Sequence, residues 1–343
     1  MARKVLVVKL GTAVITNKDG NIDTNVIQKV ADEIALLSRK YQIVLVSSGA
    51  VGSGRKFLQD YKGTLSERKA AAAVGNPILI QLYHQYFRPH GITVAQALCE
   101  RVHFSNRPQF LQLKETFNTF WKNNILPVVN ENDLVSNVEI KFSDNDELAT
   151  LITIGFDAAA LVLCTSSGGL LDDQKQVIPR IEKVATVMKY VSTEKSGLGL
   201  GGMISKLTFT RLATSLGIPV VICGLKGDTP ISSALDGQNG SYFVPQKSNL
   251  GARQKWLASG SVTLGTLYVD KGAAKALLSR KSLLTVGITS VAGKFAAGEV
   301  VQLTDEEGTI LGVAKTKADA KTINSQLTVK NVVAAHADDI VLF

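Results

Sequence analysis

Six short runs of almost purely apolar residues recur through the first two thirds of the chain. They are VLVV (5–8), IVLV (43–46), ITVAQAL (92–98), ILPVV (125–129), AAALVLC (158–164) and IPVVIC (218–223). A strand with one wet face alternates polar and apolar residues, so runs without alternation must be covered on both faces. The segments between most of these runs have a helical period. In Asn25 to Lys40, for example, Val26, Ile27, Val30, Ile34 and Leu37 share one face, and Asp23 or Thr24 stands ready to cap the start. Buried strands alternating with amphipathic helices imply an α/β sandwich with a mostly parallel central sheet.

Beyond about residue 262 the pattern changes. GSVTLGTLYVD precedes one helical stretch, GAAKALLS, and then short segments such as GEVVQL and TILGVAK flank the turn DEEG at 305–308. That pattern describes a small β-rich module. The stretch 241–260 carries Pro245, Gly251 and Gly260 and no clear period. We therefore expect a large domain over 1–250, a linker over 251–261 and a small domain over 262–343, a division that suits a chain of 343 residues.

Composition removes several alternatives. No apolar run approaches the roughly 18 residues of a membrane span, and the start, MARKVLVVKLGT, holds too short a run for a secretion signal. A cytoplasmic location is expected. Cys99, Cys164 and Cys223 are too scattered for a disulfide framework or a zinc site, and the four histidines show no metal spacing. The net charge of +9 divides unevenly, with 29 Lys and Arg against 21 Asp and Glu before residue 262 and 9 against 8 after it. So small a bias suits an anionic small molecule, and the near-neutral tail, which lacks an aromatic stacking set, argues against a nucleic acid partner.

Residues able to do chemistry gather where strands hand over to helices, the place where open α/β sheets bind ligands. After ILPVV comes NENDLVSN, with Asn130, Glu131, Asn132 and Asp133; further on, SDNDELA sets Asp144, Asn145 and Asp146 ahead of an apolar helical pattern. Asp144 with Glu147 matches a capping box, which accounts for Asp144 but not for Asn145 or Asp146. Two glycine-rich stretches, SSGAVGSGRK with Gly49, Gly52 and Gly54, and GLGLGGMISK, could let backbone N–H groups approach an anion. Neither has P-loop or dinucleotide-fingerprint spacing. Lys9 ends the first strand and Lys206 opens a late helix, both beside glycines, which favours a phosphate clamp over lysines whose tips merely reach water.

These motifs together, VVKLGT, VSSGAV, PVVNENDLV, SDNDELA and GLGLGGMISKL, followed by VDKGAAKALL and KFAAGEVVQL, resemble the bacterial glutamate 5-kinases, in which an amino acid kinase domain precedes a PUA domain. The resemblance runs essentially end to end. It implies ATP-dependent phosphorylation of the γ-carboxylate of L-glutamate, the first step of proline synthesis, with Mg²⁺ accompanying ATP and no protein-held metal centre. Lys9, Lys206 and Asp146 would be catalytic; Ser48, Asp133 and Asn145 would bind glutamate. Lys9, Thr165, Ser166, Leu200, Gly201, Gly202, Met203, Ile204, Ser205 and Lys206 would bind the nucleotide. It further implies feedback inhibition by L-proline, a homo-oligomer (dimer or tetramer) and handover of product to glutamate-5-semialdehyde dehydrogenase. Two positions depart from the family pattern: Ser166 stands where an Asp is usual, and Ala13 where Ser is common.

Overall fold

A computed structural model describes residues 3–17, 21–135, 144–190, 202–248 and 265–342. The chain divides into two compact units, 1–100 with 111–247, and 101–110 with 248–343. The expected linker at 251–261 lies outside the described residues.

All six apolar runs are strands of one sheet. These are β1 (Val5–Leu10), β2 (Gln42–Ser47), β3 (Thr93–Cys99), β4 (Ile125–Glu131), β5 (Ala160–Cys164) and β7 (Val220–Cys223). Two short strands, β6 (Arg180–Ile181) and β8 (Ser241–Phe243), complete an eight-stranded sheet in the order β3-β4-β2-β1-β5-β7-β8-β6. Every pairing is parallel except β7 with β8. β1, β5 and β7 are buried along their whole length, as unalternating strands must be. β3 departs from the expectation of cover on both faces: most of its residues are exposed or partly exposed because it is the edge strand.

The helix Thr24–Leu37 forms as its period requires. Asp23 is the cap, accepting from the N–H groups of Asn25 and Val26, while Ile27, Val30, Ile34 and Leu37 are buried. On the sheet this face meets Leu6, Val8 and Leu10, the even-numbered residues of β1. The odd-numbered residues, Val5, Val7 and Lys9, therefore point to the opposite layer. That layer contains the helix Asn145–Gly155, which packs on β1 and is buried at every position from Asp146 to Gly155.

Gly49 and Gly54 of SSGAVGSGRK each answer a backbone requirement. Gly49 has φ +103°, a left-handed conformation at the start of the helix Ala50–Gly54. A side chain on Gly54 would strike the carbonyl of Ala71, and one on Gly75 would strike the carbonyl of Ala50. This short helix and the long helix Leu65–Phe87 thus touch backbone to backbone.

The second unit contains β9 (Gly265–Val269), β10 (Leu283–Leu284), β11 (Ile288–Gly293), β12 (Val300–Asp305), β13 (Ile310–Lys315), β14 (Val333–Ala335) and β15 (Ile340–Leu342). Five of them form a sheet in the order β11-β9-β12-β13-β15, and β10 pairs with β14. The expected helix spans Lys271–Leu278 and is capped by Asp270. The DEEG turn joins β12 to β13: Asp305 accepts from the N–H groups of Glu307 and Thr309, and Gly308 has φ +82°. Leu267, Val269, Leu277, Leu303 and Ile323 are among its core residues.

Gly75→Ala should lower unfolding stability by about 1–3 kcal/mol or more, since a backbone carbonyl cannot yield as a side chain can. Gly52→Ala, where nothing lies within 4 Å, should be near neutral. Urea denaturation of the two variants checks this, and equal effects would refute the backbone contact.

Candidate active site

Lys9 is the fifth residue of β1, in register with Val46 of β2 and Leu163 of β5. Its ammonium is held inside the protein and only 5% of the residue is exposed. At Gly11, two residues on, the backbone passes close to the end of β5. A side chain there would come within 3.3 Å of the Cys164 carbonyl and 3.8 Å of Lys9 Nζ.

Facing Lys9 is the first turn of the helix Asn145–Gly155. Asp144, extended at φ −168°, caps this helix through Oδ1, which accepts from Asp146 N–H at 2.9 Å and Glu147 N–H at 3.1 Å. The capping role expected from the sequence is thus present. It leaves Asp146 in the first turn, where the helix dipole favours a negative charge. Asp146 is fully buried; its Oδ1 lies 2.6 Å from Lys9 Nζ as an ion contact, and its Oδ2 accepts a 2.9 Å hydrogen bond from Lys206 Nζ.

Lys206 comes from the helix Met203–Ser215, which packs against the helix carrying Asp146. The helix start, at Gly202, has no side-chain cap. Among the three charged groups the ammoniums outnumber the carboxylate by one. Burial pushes the Asp146 carboxyl upward, but the charges of Lys9 and Lys206 outweigh it and hold the group below the ordinary carboxylate value. Asp144 goes the other way: burial, and then the charge of Asp146, raise it against the opposing pull of Ser205 and Lys9. Its Oδ2 has no hydrogen-bond partner among the described residues.

On the β2 and β4 side of β1 lies a web of neutral polar groups. Asn145 Nδ2 donates to Ser48 Oγ and to Asn130 Oδ1, both at 3.0 Å. Asn130 Nδ2 in turn donates to Asn76 Oδ1 at 3.1 Å, and its Oδ1 also accepts from Glu131 N–H. Asn145 Oδ1 is buried without a hydrogen-bond partner among the described residues. Asp133 stands in the turn after β4, two residues beyond Glu131. Asn76 was not anticipated. The clue available in the sequence was a lone amide in the apolar helix AAAAVGNPILI.

On the other side of β1, Thr165 N–H donates to the Cys223 carbonyl at 2.8 Å, joining the ends of β5 and β7, while Ser166 is exposed. Gly202, Met203, Ile204, Ser205 and Lys206 line the start of their helix. Leu200 and Gly201 lie outside the described residues. Among the described residues no group of three or more His, Cys, Asp or Glu side chains could hold a metal ion.

The amino acid kinase family matches residues 4–224, and the PUA domain matches residues 265–332. A glutamate 5-kinase of Aquifex aeolicus is 37% identical over 327 residues, covering 93% of this chain and 90% of the relative. Another, from Bacteroides thetaiotaomicron, is 34% identical over 329 residues, covering 92% and 91% respectively. Among solved structures, a carbamate kinase of Giardia aligns with TM-score 0.51 and 18% identity over 72% of this chain and all of its own, a likeness of fold.

The depressed Asp146 carboxyl makes a signed expectation. Its stabilising contribution is complete above about pH 4, the ordinary value, and disappears as pH falls through the lower folded value. Asp146→Ala leaves two buried ammoniums without their carboxylate and should cost about 3–5 kcal/mol at pH 7. The difference from the parent chain should shrink in urea titrations as pH falls below the ordinary carboxylate value. A difference that stays constant with pH would contradict the ion contacts.

Proposed function

The chain belongs to the amino acid kinase family and, within it, to the glutamate 5-kinases, and from that premise we propose that Lys9, Asp146 and Lys206 carry its phosphoryl transfer. The reaction moves the γ-phosphoryl group of ATP to the γ-carboxylate of L-glutamate, giving L-glutamyl 5-phosphate, the first step of proline synthesis. The observation that carries the assignment is one buried carboxylate holding two buried ammoniums.

A carboxylate acceptor is already ionised at pH 7, so no general base is required. What opposes the reaction is the approach of one anion to another. Lys9 and Lys206 reduce that repulsion by neutralising the oxygens of the transferring group, and Asp146 fixes both ammoniums before substrate arrives. Their surplus positive charge is what a phosphate would compensate. Thr165, Ser166 and the segment from Leu200 to Lys206 serve the nucleotide in this reading.

Glutamate is assigned to the polar web. The Oδ1 of Asn145, without a hydrogen-bond partner among the described residues, suits its ammonium, Asp133 adds a second acceptor for that charge, and the Ser48 hydroxyl can donate to a carboxylate. Mg²⁺ fits as an ion carried chiefly by the ATP phosphates and water. Asp146 is committed to the lysines, whereas Asp144 Oδ2, with no hydrogen-bond partner among the described residues, offers such a hydrated ion one acceptor. When bound, Mg²⁺ supplies further neutralisation of phosphate charge.

The same reading includes L-proline as a feedback inhibitor, a dimer or tetramer, a cytoplasmic location and handover of the labile acyl phosphate to glutamate-5-semialdehyde dehydrogenase. No described helix is long and apolar enough to cross a membrane. Proline shares with glutamate an α-carboxylate and an ammonium-type nitrogen, which supports overlapping sites.

The direct test is glutamate-dependent ADP release, with aspartate and UMP as control acceptors. Lys9→Ala and Lys206→Ala should each lower kcat about 10²–10³-fold with little change in the glutamate KM, because their interaction belongs to the transition state. Asn145→Ala should instead raise the glutamate KM and spare ATP binding. Near-normal turnover in either lysine variant would remove the clamp. Proline inhibition should be relieved by excess glutamate; inhibition that no glutamate concentration relieves would place proline elsewhere.

A further inference from the structure

The loop that leaves β7, Gly224–Thr229, is held by side chains that the proposed transfer does not use. Glu33, in the middle of the helix Thr24–Leu37, is only 2% exposed. Its two carboxylate oxygens accept from consecutive backbone N–H groups, Ile231 at 3.1 Å and Ser232 at 2.6 Å. These begin the helix Pro230–Leu235, whose own Thr229 provides no side-chain cap. First-turn N–H groups have no partner within their helix, so Glu33 satisfies them from another layer of the fold.

One helical turn earlier, Lys29 Nζ donates to the Gly227 carbonyl at 2.8 Å. From the far end, Asn239 Nδ2 donates to the carbonyls of Gly224 and Pro230, at 3.0 and 2.9 Å. The loop is therefore tied at its start, middle and end.

The loop abuts the segment after β5. A Cβ on Gly224 would lie 3.1 Å from Gly168 Cα and 3.9 Å from the Thr165 carbonyl. A change in the height of one loop must be passed to the other, because there is no free space between them. The glutamate web lies across β1, at the ends of β2 and β4.

We infer that Glu33 and Lys29 are positioning residues for the nucleotide: they set the Gly224–Thr229 loop and, through Gly224 against Gly168, the Thr165–Gly169 loop that receives ATP. This rests on the placement of ATP at the β5–β7 end given under Proposed function. Neither side chain touches the reacting atoms.

The test uses the full chain and two readouts, glutamate-dependent ADP release and ADP binding by calorimetry. Lys29→Ala and Glu33→Gln should each raise the ATP KM and weaken ADP binding by roughly three- to tenfold, leaving the glutamate KM within about twofold. Lys29→Arg should restore most of the loss, since it returns a donor at the same place. If Glu33→Gln fails to fold by circular dichroism, the partly exposed Lys29→Ala decides the matter. Unchanged ADP affinity in folded Lys29→Ala, or equal rises in both KM values, overturns the inference. Absence of glutamate-dependent turnover in the parent chain would instead overturn the functional reading, while ADP binding would still judge the positioning role.

Discussion

The structure depends on one buried carboxylate. Removing an ammonium from water is unfavourable unless a negative group meets it, and here two ammoniums from distant parts of the chain meet the same one. Asp146 can do this because it occupies the first turn of a helix packed on β1, within reach of a strand residue on one side and a helix residue on the other. The cap by Asp144, the glycine at 11 and the inward face of β1 all serve to fix that carboxylate between Lys9 and Lys206.

Around this centre the two sides of β1 differ in chemistry. Toward β2 and β4 the contacts are neutral amide and hydroxyl bonds that leave an acceptor on Asn145 open. Toward β5 and β7 they are mostly backbone contacts between loops, supported from behind by the helix Thr24–Leu37. Such a division suits two ligands of different kinds, a small amino acid needing directional hydrogen bonds and a phosphate-bearing nucleotide needing closely approaching backbone. In the proposed reading the transferring group falls between them, beside the ammoniums.

The main strands were legible because a run such as VLVV has only one stable environment, the middle of a covered sheet. β6 and β8, two and three residues long, had no pattern to read. β3 showed the limit of reading apolar runs, since edge position is set by pairing order rather than by composition. In the site, Lys9 and Lys206 could be singled out from their costly positions, yet nothing local announces that Asp146 contacts both. Asn76 and Glu33 were missed for a related reason. Each acts on a backbone or side chain far along the chain, and its local sequence looks like ordinary helix. The glycine-rich run SSGAVGSGRK shows nothing of the close helix contact that Gly54 makes with Gly75 of the helix Leu65–Phe87.

From Asp146 to Gly155 the helix Asn145–Gly155 has no face toward water, and this gives it a mechanical character. Eleven residues at about 1.5 Å each make a rod of about 16 Å. At its far end Phe156 packs against Phe117 and, edge-on, against Trp121. A rod confined on all sides cannot bend around a local disturbance; it slides or tilts as a whole. Repacking of those aromatic rings would therefore appear at the other end as a displacement of Asp146 relative to Lys9 and Lys206.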